Sequence, residues 1–196
     1  MFNDLLLSAR VGGFFMPIKE KTILMDGLSV DRALIRIAHQ VLEKNSDEED
    51  ICLLGIKTRG VFLAERLADN IAQITGTRPM TASLDITKFR DDLDQGIADG
   101  KKDIPEIPFP VEGKTVILCD DVIYTGRSAR AAMEAVIREG RPARIQFFAL
   151  IDRGHRELPI RPDYVGKNVP TSRSEIISVC LPECDGEYCV RLGERE

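Results

Sequence analysis

Ile51-Cys52-Leu53-Leu54-Gly55-Ile56 is a run of six residues with no polar side chain, and it constrains the fold more than any other feature. A strand with one wet face alternates apolar and polar residues. A strand without alternation must be covered on both faces, as in a parallel sheet sandwiched between helices. Strands are also expected at Met80–Thr87, Thr115–Cys119, Ile145–Ile151 and Ile176–Leu181. Helical patterns lie between them. Ser29 opens a helix to about Lys44, with Leu34, Ile37, Ala38, Val41 and Leu42 at helical spacing. Val61–Ile74 ends at Gly76, and Ser128–Glu139 is closed by Gly140. Alternating strands and helices predict an α/β chain: a central, mostly parallel sheet with helices on both faces. A length of 196 residues suits one domain.

Lys88–Pro110 is too polar and broken for core, and a loop of that length is usually functional or disordered; it has room for a short hairpin. Arg153–Thr171 reads as loop, and the chain ends in a short polar tail. Residues 1–15 read as a loose extension, with Met16-Pro17-Ile18-Lys19 as a second possible start, so the domain is expected over 16–196. Residues 1–15 have no basic start and no long apolar stretch, which argues against a secretory signal.

A net charge of −5 excludes a globally basic nucleic-acid binder, so any polyanion must be met by a local patch. No apolar run approaches the ~20 residues of a membrane span. Five cysteines, an odd count, argue for reduced thiols and a cytoplasmic setting. Cys180, Cys184 and Cys189 have irregular spacing and no fourth ligand, which favours structural thiols over zinc.

Val116-Ile117-Leu118-Cys119-Asp120-Asp121-Val122-Ile123-Tyr124-Thr125-Gly126-Arg127-Ser128 carries the chemistry. An apolar strand delivers two acids to its carboxyl end, where ligands of open α/β sheets bind. Thr125 and Ser128 supply hydroxyls, Gly126 permits close backbone approach, and the helix start favours a phosphate. The acids can accept hydrogen bonds from the vicinal hydroxyls of a sugar. One device thus suits a ribose phosphate. The plainer alternative is a turn with an ordinary helix cap.

This segment strongly resembles the phosphoribosyl pyrophosphate (PRPP) motif of the type I phosphoribosyltransferases. The resemblance extends over most of Lys21–Glu175, through Gly55–Gly60, Leu84–Thr87 with Arg90–Leu93, Asp152–Arg161 and Asp163–Ser172. Within that fold the chain is similar to the pyrimidine-operon attenuator family, whose members are also uracil phosphoribosyltransferases. The resemblance implies a small hood over the base and a reaction of uracil with PRPP to give UMP and diphosphate. It implies that Asp120 and Asp121 hold the ribose hydroxyls and that Thr125, Gly126, Arg127 and Ser128 hold the 5′-phosphate. Lys57, Thr58 and Arg59 would form the pyrophosphate loop, and Arg90, on a flexible loop near 88–108, would reach the leaving group. Asp152 and Arg153 would lie near the base. Taken alone, Lys57 and Arg59 read as solvated, and Arg90 as a partner of Asp91 or Asp92.

The resemblance also implies Mg²⁺ carried with PRPP, UMP or UTP as ligands, and a homodimer or higher oligomer. It maps an mRNA-leader surface onto Arg32, Arg36, His39, Lys44, Arg161 and Lys167, each of which alone reads as surface charge. Arg32, Arg36 and His39 lie three and four apart, so one helix face can present them. Two other readings stay open: a purine salvage enzyme, to whose hoods Pro162–Gly166 is also similar, and an RNA regulator with weak catalysis.

Overall fold

The computed structural model describes residues 7–11, 14–45, 50–91 and 107–195. The possible hairpin within Lys88–Pro110 lies mostly outside them. Chain order begins with strands β1 (Leu7–Val11) and β2 (Phe14–Asp26), helix α1 (Gly27–Lys44), β3 (Ile51–Ile56), α2 (Arg59–Thr75) and β4 (Met80–Leu84). It continues with β5 (Thr115–Ile123), α3 (Arg127–Glu139), β6 (Arg144–Asp152), β7 (Tyr164–Asn168), β8 (Glu175–Cys180), α4 (Pro182–Asp185) and β9 (Cys189–Arg195).

The unalternating run is the second strand of a five-stranded sheet, in the order β4-β3-β5-β6-β7. Every pairing in this sheet is parallel. Its residues alternate between two covers. Ile51 and Leu53 pack with Ile37, Val41, Leu63 and Leu67 of α1 and α2. Cys52, Leu54 and Ile56 pack with Ala131, Ala132, Ala135 and Val136 of α3 on the other face. Helices therefore lie on both faces, as expected.

A second sheet, in the order β1-β2-β9-β8, is antiparallel and joins the two ends of the chain. Leu7–Val11 pairs with β2 inside the stretch expected to be a loose extension, and β9 lies in the expected polar tail. The β2–β9 register slips between Glu20 and Thr22 and again between Ile23 and Met25. Those bulges break the period-two pattern that would reveal a strand in the sequence. β7 likewise replaces expected loop. Asp26, not Ser29, caps α1: its carboxylate accepts the Ser29 N–H at 2.8 Å.

A polar knot closes the far end of α1. The side-chain amide nitrogen of buried Asn45 donates to the Val41 carbonyl (2.8 Å), Gln146 Oε1 (3.1 Å) and the Tyr164 hydroxyl (3.1 Å). Gln146 returns a bond to Asn45 Oδ1 at 3.1 Å. Asn45→Ala takes the acceptor from Gln146 Nε2 in the core, while Val41 keeps the backbone N–H of residue 45 and Tyr164 keeps Gln146 Oε1, and should cost about 2 kcal/mol in urea unfolding. A loss below about 0.5 kcal/mol would show that water replaces the amide.

Candidate functional site

β5 does not stop at the acids. Its ladder to β6 continues through Asp120↔Ala149, Val122↔Ile151 and Ile123↔Asp152. Side-chain alternation slips here: Cys119 and Val122 both face the α1–α2 layer, and Ile123 faces α3. The slip falls on the two acids. Asp120 is 8% exposed, and its Oδ1 accepts the Asp121 N–H at 2.9 Å. Asp121 Oδ1 accepts the Val122 N–H at 2.8 Å. Burial, and then the neighbouring Asp121 carboxylate, push the Asp120 carboxyl well above the usual range; the Arg90 charge pulls the other way.

Gly126 follows at φ +96°, the left-handed region where a side chain is strained. It opens α3, whose start has no side-chain cap, so the first-turn amides remain for an anion. Thr125 Oγ1 lies 3.5 Å from the Arg127 N–H. The Ser128 hydroxyl accepts from Arg90 Nη1 at 3.3 Å. Asp91 pairs instead with Arg127 Nη1 at 3.0 Å, and Arg127 also donates to Glu157 through Nε (3.1 Å) and Nη2 (3.0 Å). Arg127 thus offers its backbone here, while its side chain ties two loops together. Asp92 lies outside the described residues.

Lys57, Thr58 and Arg59 cross from β3 into α2. Lys57 Nζ reaches Asp85 at 3.4 Å, an exposed pair worth little. Thr58 sits at the α2 N-cap with no side-chain capping bond. Gly60 seats this loop against the acids: a Cβ there would stand 2.3 Å from the Cys119 carbonyl oxygen and 3.3 Å from Asp120 Cα. The structure therefore brings Lys57, Thr58, Arg59, Arg90, Asp120, Asp121 and Thr125–Ser128 together at the carboxyl ends of β3 and β5.

Residues 22–183 match the family model described as "Phosphoribosyl transferase domain". The Bifunctional protein PyrR of Thermoanaerobacter sp. (strain X514) is 57% identical over 178 residues, which cover 91% of this chain and 100% of that protein. The chain belongs to the phosphoribosyltransferase family, within the bifunctional PyrR proteins. The PyrR protein of Clostridioides difficile is 53% identical, covering 89% of this chain and 99% of its own length. Among solved structures, the hypoxanthine phosphoribosyltransferase of Trypanosoma cruzi superposes with a TM-score of 0.68 at 13% identity, over 90% of this chain and 98% of that one. The Staphylococcus aureus enzyme of the same name gives 0.66 at 16% identity, over 90% and 93% of the two chains. At such identities the likeness establishes the phosphoribosyltransferase fold.

In this phosphoribosyltransferase the loop after β6 folds over the Tyr124–Ser128 turn. The Glu157 and Leu158 N–H groups donate to the Thr125 carbonyl at 3.0 and 3.1 Å. Arg156 joins the two segments, donating to the Tyr124 carbonyl (2.8 Å), the Ile160 carbonyl (2.9 Å) and Asp152 Oδ2 (2.5 Å). It lies inside the Asp152–Arg161 motif, yet nothing in its spacing announces the role. Arg153 is 8% exposed and structural in its contacts. It donates to Thr171 Oγ1 (3.1 Å) and to the Ser172 (3.1 Å) and Glu175 (2.7 Å) carbonyls, and stacks over the Tyr124 ring at 4.2 Å.

The basic residues of α1 and β7 meet in part. Arg32, Arg36 and Lys167 line one hollow with Leu24, Met25 and Ser29. Arg36 Nη2 donates to the Val165 (3.1 Å) and Gly166 (2.7 Å) carbonyls, and Lys167 Nζ to the Leu24 carbonyl (2.8 Å). His39 and Arg161 are exposed and do not line it. Lys44 is held by Asp163 at 2.5 Å. All five cysteines are free thiols, and burial pushes Cys52 up to about 11. No helix among the described residues is long and apolar enough to cross a membrane.

Proposed function

We propose that this protein transfers the phosphoribosyl group of PRPP to uracil, giving UMP and diphosphate, and that a separate basic face binds the mRNA leader of a pyrimidine operon to regulate transcription by attenuation. One observation carries the enzymatic half: two adjacent acids, the first of them buried, an uncapped helix start and a cationic loop converge at adjacent strand ends. Identity above 50% to proteins named bifunctional supports the pairing of two roles.

In the reaction, Asp120 and Asp121 accept the ribose hydroxyls. The amides of Thr125–Ser128 and the Thr125 and Ser128 hydroxyls hold the 5′-phosphate. Arg59, Lys57, the Thr58 amide and Arg90 take the diphosphate, whose departure leaves positive charge on the sugar ring, as in glycosyl transfer generally. The base nitrogen is the nucleophile, so no protein nucleophile is required. Asp152 and Arg153 shape the base pocket from its wall. Among the described residues no three His, Cys, Asp or Glu side chains converge. The oxygens of Asp120 and Asp121 suit a hard cation that keeps most of its ligands on the substrate. Bound there, Mg²⁺ would neutralise charge on the leaving diphosphate.

The RNA face comprises Arg32, Arg36, His39, Lys44, Arg161 and Lys167, meeting a folded RNA through phosphates and shape. The setting is cytoplasmic, the assembly a dimer or higher, and UMP or UTP the regulatory ligand. The domain spans 16–196 with 1–15 as an extension; this is supported by a relative matched along its whole length by 178 residues.

UMP formation from uracil and PRPP, set against hypoxanthine and guanine, is the test. Preference for a purine would replace this reading with purine salvage. In a gel-shift with a leader hairpin at low salt, with and without UMP, Arg32→Glu should weaken binding about tenfold. No shift by the parent protein would leave the enzyme alone.

A further inference from the structure

α4 is four residues long and lies in a stretch with no apolar pattern, yet it grips the start of α2. Arg59 Nε and Nη2 donate to Asp185 Oδ2 (3.1 Å) and Oδ1 (2.7 Å), a bidentate pair. The side chains are only 14% and 23% exposed, so water screens the pair weakly. The carboxylate is itself fixed: its Oδ2 accepts the Leu181 N–H at 2.9 Å, and the Asp185 N–H donates to the Leu181 carbonyl at 2.8 Å. A second clamp lies two helical turns further along α2. Arg66 Nη2 donates to Glu183 at 2.8 Å and its guanidinium stacks over Tyr188 at 4.6 Å. The Tyr188 hydroxyl in turn donates to Asp31 of α1 at 2.5 Å.

We propose that Asp185 is a positioning residue that holds the Arg59 guanidinium ready for the diphosphate of PRPP. This rests on the reading of Lys57–Gly60 as the pyrophosphate loop. An arginine side chain that must be ordered on binding gives up rotamer freedom at that moment. Here the ordering is done beforehand, by a partner on a different element. The two bonds occupy the Nε edge of the fork, which leaves Nη1 for a second anion. Such preorganisation lowers the ordering cost of binding the diphosphate, so it acts on the affinity for PRPP.

The test uses the full-length protein with Asp185→Ala, Asp185→Glu, Arg59→Ala and the Asp185→Ala/Arg59→Ala double variant. It measures kcat, the KM for PRPP and for the base, and the melting temperature. Asp185→Ala should raise the PRPP KM about tenfold and leave the base KM unmoved, Asp185→Glu should recover most of that loss, and the double variant should be no worse than Arg59→Ala alone. An Asp185→Ala protein whose PRPP KM stays within twofold of the parent, whatever its melting temperature, overturns the proposal. So does a lower KM, which would make Asp185 a competitor of the diphosphate. If Arg59→Ala itself leaves PRPP use intact, the pyrophosphate-loop reading fails first. A strong Arg59→Ala effect with a silent Asp185→Ala sinks the positioning role alone.

Discussion

Asp120→Asn/Asp121→Asn is expected to reduce phosphoribosyl transfer by at least about a thousandfold, beyond what loss of one transition-state contact costs, while the protein stays folded. The fold should survive because asparagine keeps the shape and the Oδ1 acceptor that meets the next backbone N–H in each case. Stability should follow pH in a definite sense. The folded carboxyl of Asp120 is raised by burial and by Asp121, so the stability it confers is complete below the ordinary carboxylate range. That stability is lost as pH rises through the raised value. Asp120→Asn removes a carboxyl whose ionisation burial penalises. The single variant should therefore melt at or above the parent at pH 7, with a smaller gain at pH 4. Thermal unfolding at the two pH values, beside a UMP assay, checks both halves. Full activity in the double variant would refute the sugar-binding role, and a lower melting temperature for Asp120→Asn at pH 7 would refute the electrostatic account. Function and stability are then opposed at this residue, as is common at active sites.

Gly60→Ala should cost about 3 kcal/mol of stability and nearly all PRPP binding. The added methyl would meet the Cys119 carbonyl oxygen at 2.3 Å, with the carbonyl carbon at 3.2 Å and Asp120 Cα at 3.3 Å. All three are backbone atoms of a central strand, bonded on both sides to β3 and β6. No side chain can rotate away, so the start of α2 has to lift off β5. That movement separates the cationic loop from the acids, the two parts that would have to grip one substrate together. Urea unfolding and calorimetry with PRPP give the two readouts. Loss of less than about 1 kcal/mol with parental affinity would show that the contact is soft.

The sheet was legible because its strands are covered twice, and double burial writes an unbroken apolar run. The same rule explains which elements carry no such run. The apolar pattern of Thr115–Cys119 stops at Asp120 because polarity begins there, but the ladder to β6 needs only backbone and runs on to Ile123. Tyr164-Val165-Gly166-Lys167-Asn168 carries no strand pattern because an edge strand needs one well-buried side chain, here Tyr164. β2 and β9 were hidden by their bulges. In the site, Asp120–Ser128 was readable because the acids and the turn are consecutive. The Arg59–Asp185 pair was not, since its members are 126 positions apart and neither has a local signature. Ser29 and Asp26 are both capping types, so the sequence does not separate them; in the structure the Ser29 N–H is the group that Asp26 satisfies.

The pairing of β2 with β9 and the seat of α4 on α2 set an order of assembly. The parallel sheet and its helices are complete by Asn168, so this layer can form while the remainder is still being synthesised. The antiparallel sheet must wait for the last seven-residue strand, and Arg59 receives its carboxylate partner only when Asp185 emerges. A chain that has folded the Tyr124–Ser128 turn thus still lacks the anchored arginine until α4 has packed on α2.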